Sequence, residues 1–254
     1  MRIKNQKYIF LNIFLVIYFF ILTFSNAESL MKKVIVIDPG HGCKKSHLAR
    51  CLTNCEADCR AGCEAGCEAD VEQAKDEIVN YGCKSAGGTK EMDVVIDISD
   101  VLEEMFLQEG VTTYFTRSRK NYWRYAKSQD DDNQLRAEFA NLKKADLFLR
   151  IHCNWSSNKK KRGVLVMWYK EDSKKIAETV YQKIKKSGII VDGIRKQHLM
   201  GFEFAKVPSI LIEYGYLSNK DDSKLLNDKK YIEKVSSTII DGLKEYFSAY
   251  QNHK

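Results

Sequence analysis

From residue 33 onward, short runs of β-branched and aliphatic residues alternate with longer stretches of helical period, and few folds accept that order. Lys33-Val34-Ile35-Val36-Ile37 is apolar without alternation, as a strand buried on both faces must be. Pro39 and Gly40 stop it. Val94, Val95, Ile98, Val101, Leu102 and Met105 fall at helical spacing, and Gly110 closes that helix. Strands are expected again over 111–116, 147–151, 163–168 and 209–213. Helices are expected over 131–144 and 173–186, with a closing amphipathic helix over 231–250. Strands alternating with helices define an α/β layer fold, in which ligands gather beyond the strand ends.

Polar motifs stand at those strand and helix ends. They are Asp38-Pro39-Gly40-His41-Gly42, Lys90-Glu91, Ile151-His152-Cys153-Asn154 and Ile212-Glu213-Tyr214-Gly215-Tyr216-Leu217-Ser218-Asn219. Strand ends on one edge of a sheet can meet in space, although far apart in the chain. Two histidines and one carboxylate are the ligands of an open zinc site, and a further carboxylate is left over as a base for amide hydrolysis. No local two-histidine signature such as a His-Glu-x-x-His helix is present, so structural histidines remain an alternative at this point.

The N-terminus has a different character. Arg2, Lys4 and Lys7 precede an apolar stretch from Tyr8 to Phe24, followed by Ser25-Asn26-Ala27. Residues 1–27 read as a secretory signal peptide, with an uncleaved membrane anchor as the alternative. On that reading residues 28–254 are one exported domain, in the periplasm or at the cell wall, and a membrane partner enters only if the segment stays uncleaved. The formal net charge is +7, which suits an anionic polymer but equally a solvated surface. No basic stripe interleaved with aromatics points to nucleic acid.

Eight cysteines are present. Cys43, Cys51, Cys55, Cys59, Cys63, Cys67 and Cys83 lie between His41 and Glu91, and Cys153 follows His152. A four-residue repeat runs from Cys55 to Asp70, and its Ala and Glu content favours helix despite Gly62 and Gly66. The expectation is one or two helices from Cys51 to about Asn80, then a return through Gly82, Gly87 and Gly88. In an exported chain, disulfides are the first reading of these cysteines. Soft-metal binding and a redox switch are the alternatives. A bridge from Cys153 to Cys43 is one candidate pairing.

Val34 through Gly42, Glu91, Thr116-Arg117, Arg136 to Asn141, Leu147 through Asn154, and Val207 through Asn219 together resemble the zinc-dependent N-acetylmuramoyl-L-alanine amidases of bacterial cell walls. The resemblance covers nearly all of 33–250 except 43–88, which is longer than the corresponding loop of that family and reads as a Cys-rich insertion. It implies a twisted, mostly parallel six-stranded sheet with helices on both faces. It implies zinc (Zn2+) held by His41, Glu91 and His152, with Glu213 as catalytic base. It also implies peptidoglycan as substrate, cut between N-acetylmuramic acid and L-alanine. Asp38 is expected to orient His41, Asn154 and Asn219 to brace loops, and Arg117 and Arg136 to be framework ion-pair partners. His47, His198 and His253 read as ordinary polar residues. The insertion begins and ends beside the expected metal, so it suits a lid, a recognition wall or the contact point of a protein activator. A wall-binding protein without catalysis and a Cys-rich metal-binding module on this scaffold are the competing readings.

Overall fold

A computed structural model describes residues 30–45, 78–122 and 124–250. The expected signal peptide and most of the Cys-rich repeat lie outside the described residues. The main sheet has six strands: β1 (Val34–Pro39), β4 (Thr112–Phe115), β6 (Leu147–Asn154), β7 (Val164–Trp168), β8 (Val191–Lys196) and β9 (Ser209–Tyr216). Their spatial order is β4-β1-β6-β9-β7-β8. β4, β1, β6 and β9 run parallel, β7 is antiparallel to β9, and β8 is parallel to β7. The expected mostly parallel six-stranded sheet is therefore what the chain forms.

Both faces of this sheet are covered, and period-two alternation decides what each face carries. Ile35, Ile37, Leu147, Leu149, Ile151, Val164, Val166, Ile210 and Ile212 point to one side. There they pack with helix α1 (Glu91–Gln108), α3 (Glu171–Lys186) and α6 (Lys229–Tyr250) in one continuous core. The alternate residues Val36, Phe148, Leu165, Met167 and Leu211 point to the other side, against α2 (Gln129–Leu142) and the short α4 (Met200–Phe204). Asp38, Arg150, His152 and Glu213 belong to this second set by the same alternation. His152 and Glu213 are directly paired across β6 and β9. A one-residue slip of either strand would turn its functional side chain into the opposite core.

A second, three-stranded sheet holds the two ends of the insertion. β2 (Cys43–Lys45) pairs antiparallel with β3 (Ile78–Asn80) and parallel with β5 (Arg124–Ala126). Residues 78–80 are thus a strand and not the end of a helix as their sequence suggests. Pairing with Cys43–Lys45 overrides local propensity, as edge pairing commonly does. The pairing brings Asn80 opposite Cys43, two residues from His41.

Candidate metal site

His41 sits in the turn between β1 and β2 with φ 65°, a conformation uncommon for a side chain larger than glycine. Hydrogen bonds fix the turn. Gly42 N donates to Asn80 O at 2.9 Å, and Arg136 Nη2 donates to His41 O at 2.5 Å. The imidazole Nδ1 lies 2.6 Å from Asn80 Oδ1. An amide oxygen only accepts, so this contact places a proton on Nδ1. The other ring nitrogen, Nε2, lies 2.9 Å from Glu91 Oε1.

Glu91 is the first residue of α1 and is 3% exposed. Its Oε2 accepts from Cys83 N at 3.0 Å and its Oε1 from Cys153 N at 3.0 Å. Burial works to raise its pKa, but hydrogen bonding to His152 and His41 prevails and holds it well below the usual carboxylate range. His152, on β6, completes the group: its Nδ1 is 3.1 Å from Glu91 Oε1 and 3.1 Å from His41 Nε2. Burial lowers the His152 pKa to about 4, against the pull of Glu91, so the ring is neutral at neutral pH. The ring lies over Gly40, where an added Cβ would come within 2.2 Å of it. Gly82 plays a similar part below: a Cβ there would meet Glu91 Oε2 at 2.6 Å and His41 Cδ2 at 2.7 Å.

Three ligand atoms from three separate elements therefore lie within 4.8 Å of one another. Each residue offers one ligand atom to the same point. Two imidazoles with one carboxylate are a common zinc donor set. The residues present fit that group.

Glu213 faces the same place from β9. It is 9% exposed, and its Oε2 is buried without a hydrogen-bond partner among the described residues. Burial first, and the Glu91 charge second, raise its pKa well above the usual value; Arg150 opposes them. His41, His152 and Glu213 line one cavity of about 460 Å³, together with Asn80, Asn154 and Trp155.

Behind this cavity lies a buried charge network. Asp38 does not receive the His41 ring, as its position in the motif suggests; Asn80 does. The Asp38 carboxylate is occupied by Arg136 Nη1 at 2.6 Å, Arg150 Nε at 2.8 Å and Thr116 Oγ1 at 2.5 Å. Its effect on His41 passes through Arg136, which also grips the His41 carbonyl. Burial would raise the Asp38 pKa, but the charges of Arg136 and Arg150 overcome it and hold the carboxyl far below its ordinary value. Arg136 also pairs with Asp132 at 2.8 Å, so its framework role holds. Arg117 instead donates to the backbone carbonyls of Pro39, Gly40 and Met92. Asn154 Oδ1 accepts from Trp155 N at 2.8 Å, and Asn219 caps α5 (Lys220–Leu225) through Asp221 N and Asp222 N. His198 pairs at the surface with Glu203; His47 and His253 lie outside the described residues. Asn80 and Arg150 were missed by sequence reasoning: Asn80 sits in a strand read as helix, and Arg150 is hidden in an apolar run.

Cys43, Cys83 and Cys153 are free thiols. The suggested bridge from Cys153 to Cys43 is not formed. Cys43 packs with Ala126 and Leu135 in a separate cluster, whereas Cys83 lies beside Cys153, its Sγ 3.5 Å from the Cys153 carbonyl. The other cysteines lie outside the described residues.

An α/β layer carries, at the carboxyl ends of parallel strands, a His-Glu-His group that could hold a metal ion and a further buried carboxylate lining the same cavity as the two histidines. Comparison with known proteins narrows the class. The family profile described as N-acetylmuramoyl-L-alanine amidase matches residues 35–245. A protein of Staphylococcus epidermidis described as "Probable cell wall amidase LytH" is 29% identical over 227 residues, covering 88% of this chain and 62% of the relative. The chain thus spans less than two thirds of the length of that relative. The catalytic domain of CwlV, an N-acetylmuramoyl-L-alanine amidase from Bacillus (Paenibacillus) polymyxa var. colistinus, superimposes with a TM-score of 0.62 at 22% identity, covering 84% of this chain and 97% of that one. The CwlD amidase of Clostridioides difficile, solved in complex with the GerS lipoprotein, gives a TM-score of 0.62 at 22% identity over 86% of this chain and 100% of that one. This chain belongs to the N-acetylmuramoyl-L-alanine amidase family.

Proposed function

We propose that this protein hydrolyses the amide joining the lactyl group of N-acetylmuramic acid to L-alanine in peptidoglycan, with His41, Glu91 and His152 holding zinc and Glu213 as the catalytic base. The observation that carries the proposal is the meeting of His41, Glu91 and His152 from separate elements, with Glu213 paired opposite His152 and lining the same cavity, in a chain of the amidase family. When bound, zinc supplies the positive charge that polarises a carbonyl and eases deprotonation of water.

The protein's own groups do the rest. Asn80 accepts from His41 Nδ1 and so turns Nε2 toward Glu91 and His152. The Cys83 and Cys153 amides fix the orientation of Glu91. Glu213 Oε2 has no hydrogen-bond partner among the described residues, and burial first and the Glu91 charge second raise its pKa. A carboxylate so placed takes a proton from the attacking water and returns it to the leaving amine, base first and acid second.

Glu213→Gln keeps the shape and the three ligands but removes the proton acceptor. Zinc binding is expected to be unchanged, while turnover falls by about 10²–10⁴-fold. Digestion of purified peptidoglycan with and without chelator, followed by mass analysis, checks this. Free stem peptides beginning with L-alanine are expected from the wild type alone, and only without chelator. Full digestion by Glu213→Gln, or products that keep the muramoyl–alanine bond, would reject the assignment.

We also carry over export and a wall location from the reading of residues 1–27. The relative described as a cell wall amidase supports the location. No helix among the described residues is long and apolar enough to cross a membrane. The lipoprotein seated on CwlD supports a protein partner for this chain as well. Residues 43–88 are its proposed contact point, because β2 and β3 hold both ends of that segment beside His41.

A further inference from the structure

Trp155 is a large aromatic side chain that the hydrolytic chemistry does not use. It follows β6 directly, three residues beyond His152, and lines the same cavity while remaining 51% exposed. It is not left loose. Trp155 N donates to Asn154 Oδ1 at 2.8 Å, and Ser156 N to Ser218 Oγ at 2.9 Å. Asn219 Nδ2 donates to Lys159 O at 2.7 Å, tying the far side of the loop to the cap of α5. The Lys159 ammonium lies 4.5 Å from the indole centroid. An indole held in water by a fastened loop is pre-organised for a ligand, with little ordering entropy left to lose on binding.

The neighbours specify the ligand. Asn154, Ser156 and Lys161 line the same cavity, so the ring is an apolar plate in a polar setting. A purely hydrocarbon ligand would leave those polar groups unpaired. A pyranose ring matches them, with a face of C–H bonds and a rim of hydroxyl and acetamide groups. We propose that Trp155 is a stacking platform for a sugar ring of the glycan strand, holding the strand at the cavity mouth while its stem peptide reaches Glu213. This rests on the amidase reading of the site.

The test uses the full chain with peptide-free glycan strands and intact peptidoglycan as probes. Wild type and Glu213→Gln are expected to bind the peptide-free strands, and Trp155→Ala to lose at least ten-fold in affinity. On peptidoglycan, Trp155→Ala is expected to raise KM about ten-fold, equivalent to about 1.4 kcal/mol, with kcat within about two-fold of wild type. Trp155→Phe is expected to recover most of the loss. Equal binding of glycan strands by wild type and Trp155→Ala would overturn the platform. So would a fall in kcat at unchanged KM, or competition by free stem peptide that depends on Trp155 while glycan strands do not compete. Failure of the amidase reading appears elsewhere, as a wild type that releases no peptides beginning with L-alanine.

Discussion

At the residue scale, the site depends on side chains that touch no substrate. Asn80 Oδ1 accepts from His41 Nδ1, and removing it frees the ring to take the wrong tautomer. Asn80→Ala is expected to weaken zinc binding by about 10–100-fold, measured by calorimetric titration, with the fold unchanged. Unchanged affinity would show that the turn alone orients the ring. Asp38 works through charge. Asp38→Asn leaves Arg136 and Arg150 buried beside a neutral amide and is expected to cost about 3–5 kcal/mol in denaturant unfolding. The folded-state pKa of Asp38 is depressed, and that of Asp132 as well, where burial is outweighed by Arg136 and Arg124. Unfolded, such carboxyls titrate near about 3.9. Their stabilisation is therefore fully present above about pH 5 and is lost as pH falls below about 4. Denaturant midpoints followed from pH 7 to pH 3 are expected to fall in the wild type and to fall less in Asp38→Asn.

At the scale of elements, what could be read from the chain tracks how self-contained each signal is. β1 is legible because its apolar run is buried on both faces and Pro39-Gly40 ends it. α1 is legible because its apolar residues share one face. β6 and β9 were expected to stop near 151 and 213, yet continue to Asn154 and Tyr216. His152 and Glu213 thus lie within the strands, paired with each other, and the strands continue beyond a register shift to the Asn154–Tyr216 pair. β8 was missed because Val-Asp-Gly-Ile-Arg-Lys at a sheet edge has no buried residue and carries Gly193. β3 was missed because its partner β2 lies across the Cys-rich segment, and no local pattern announces a pairing partner that far away. The short α5 rests on a side-chain cap. Asn219→Ala is expected to lower stability by about 0.5–2 kcal/mol. Because Asn219 also holds the Lys159 carbonyl, the same substitution is expected to raise exchange of the 155–162 amides with solvent, measured by hydrogen–deuterium exchange.

At the scale of the molecule, the two sheet faces divide the work. One carries the large core shared by α1, α3 and α6, and supplies stability. The other carries Asp38, Arg150, His152 and Glu213 beside α2 and the short α4, and supplies the cavity. The motifs were legible in sequence because each ends or begins an element. Their meeting was not, because it follows from the parallel order β1-β6-β9 and from the insertion folding back through β3. The cysteines between offer a rival set of soft-metal ligands, so the position of the metal decides between the readings. Crystals of the protein grown with zinc, measured by anomalous diffraction at the zinc edge, test this most directly. One peak is expected, bonded to His41 Nε2, Glu91 Oε1 and His152 Nδ1 at about 2.0–2.2 Å with Glu213 beside it. Zinc found only among cysteine sulfurs, or a three-ligand cluster that stays empty at saturating zinc, would contradict it.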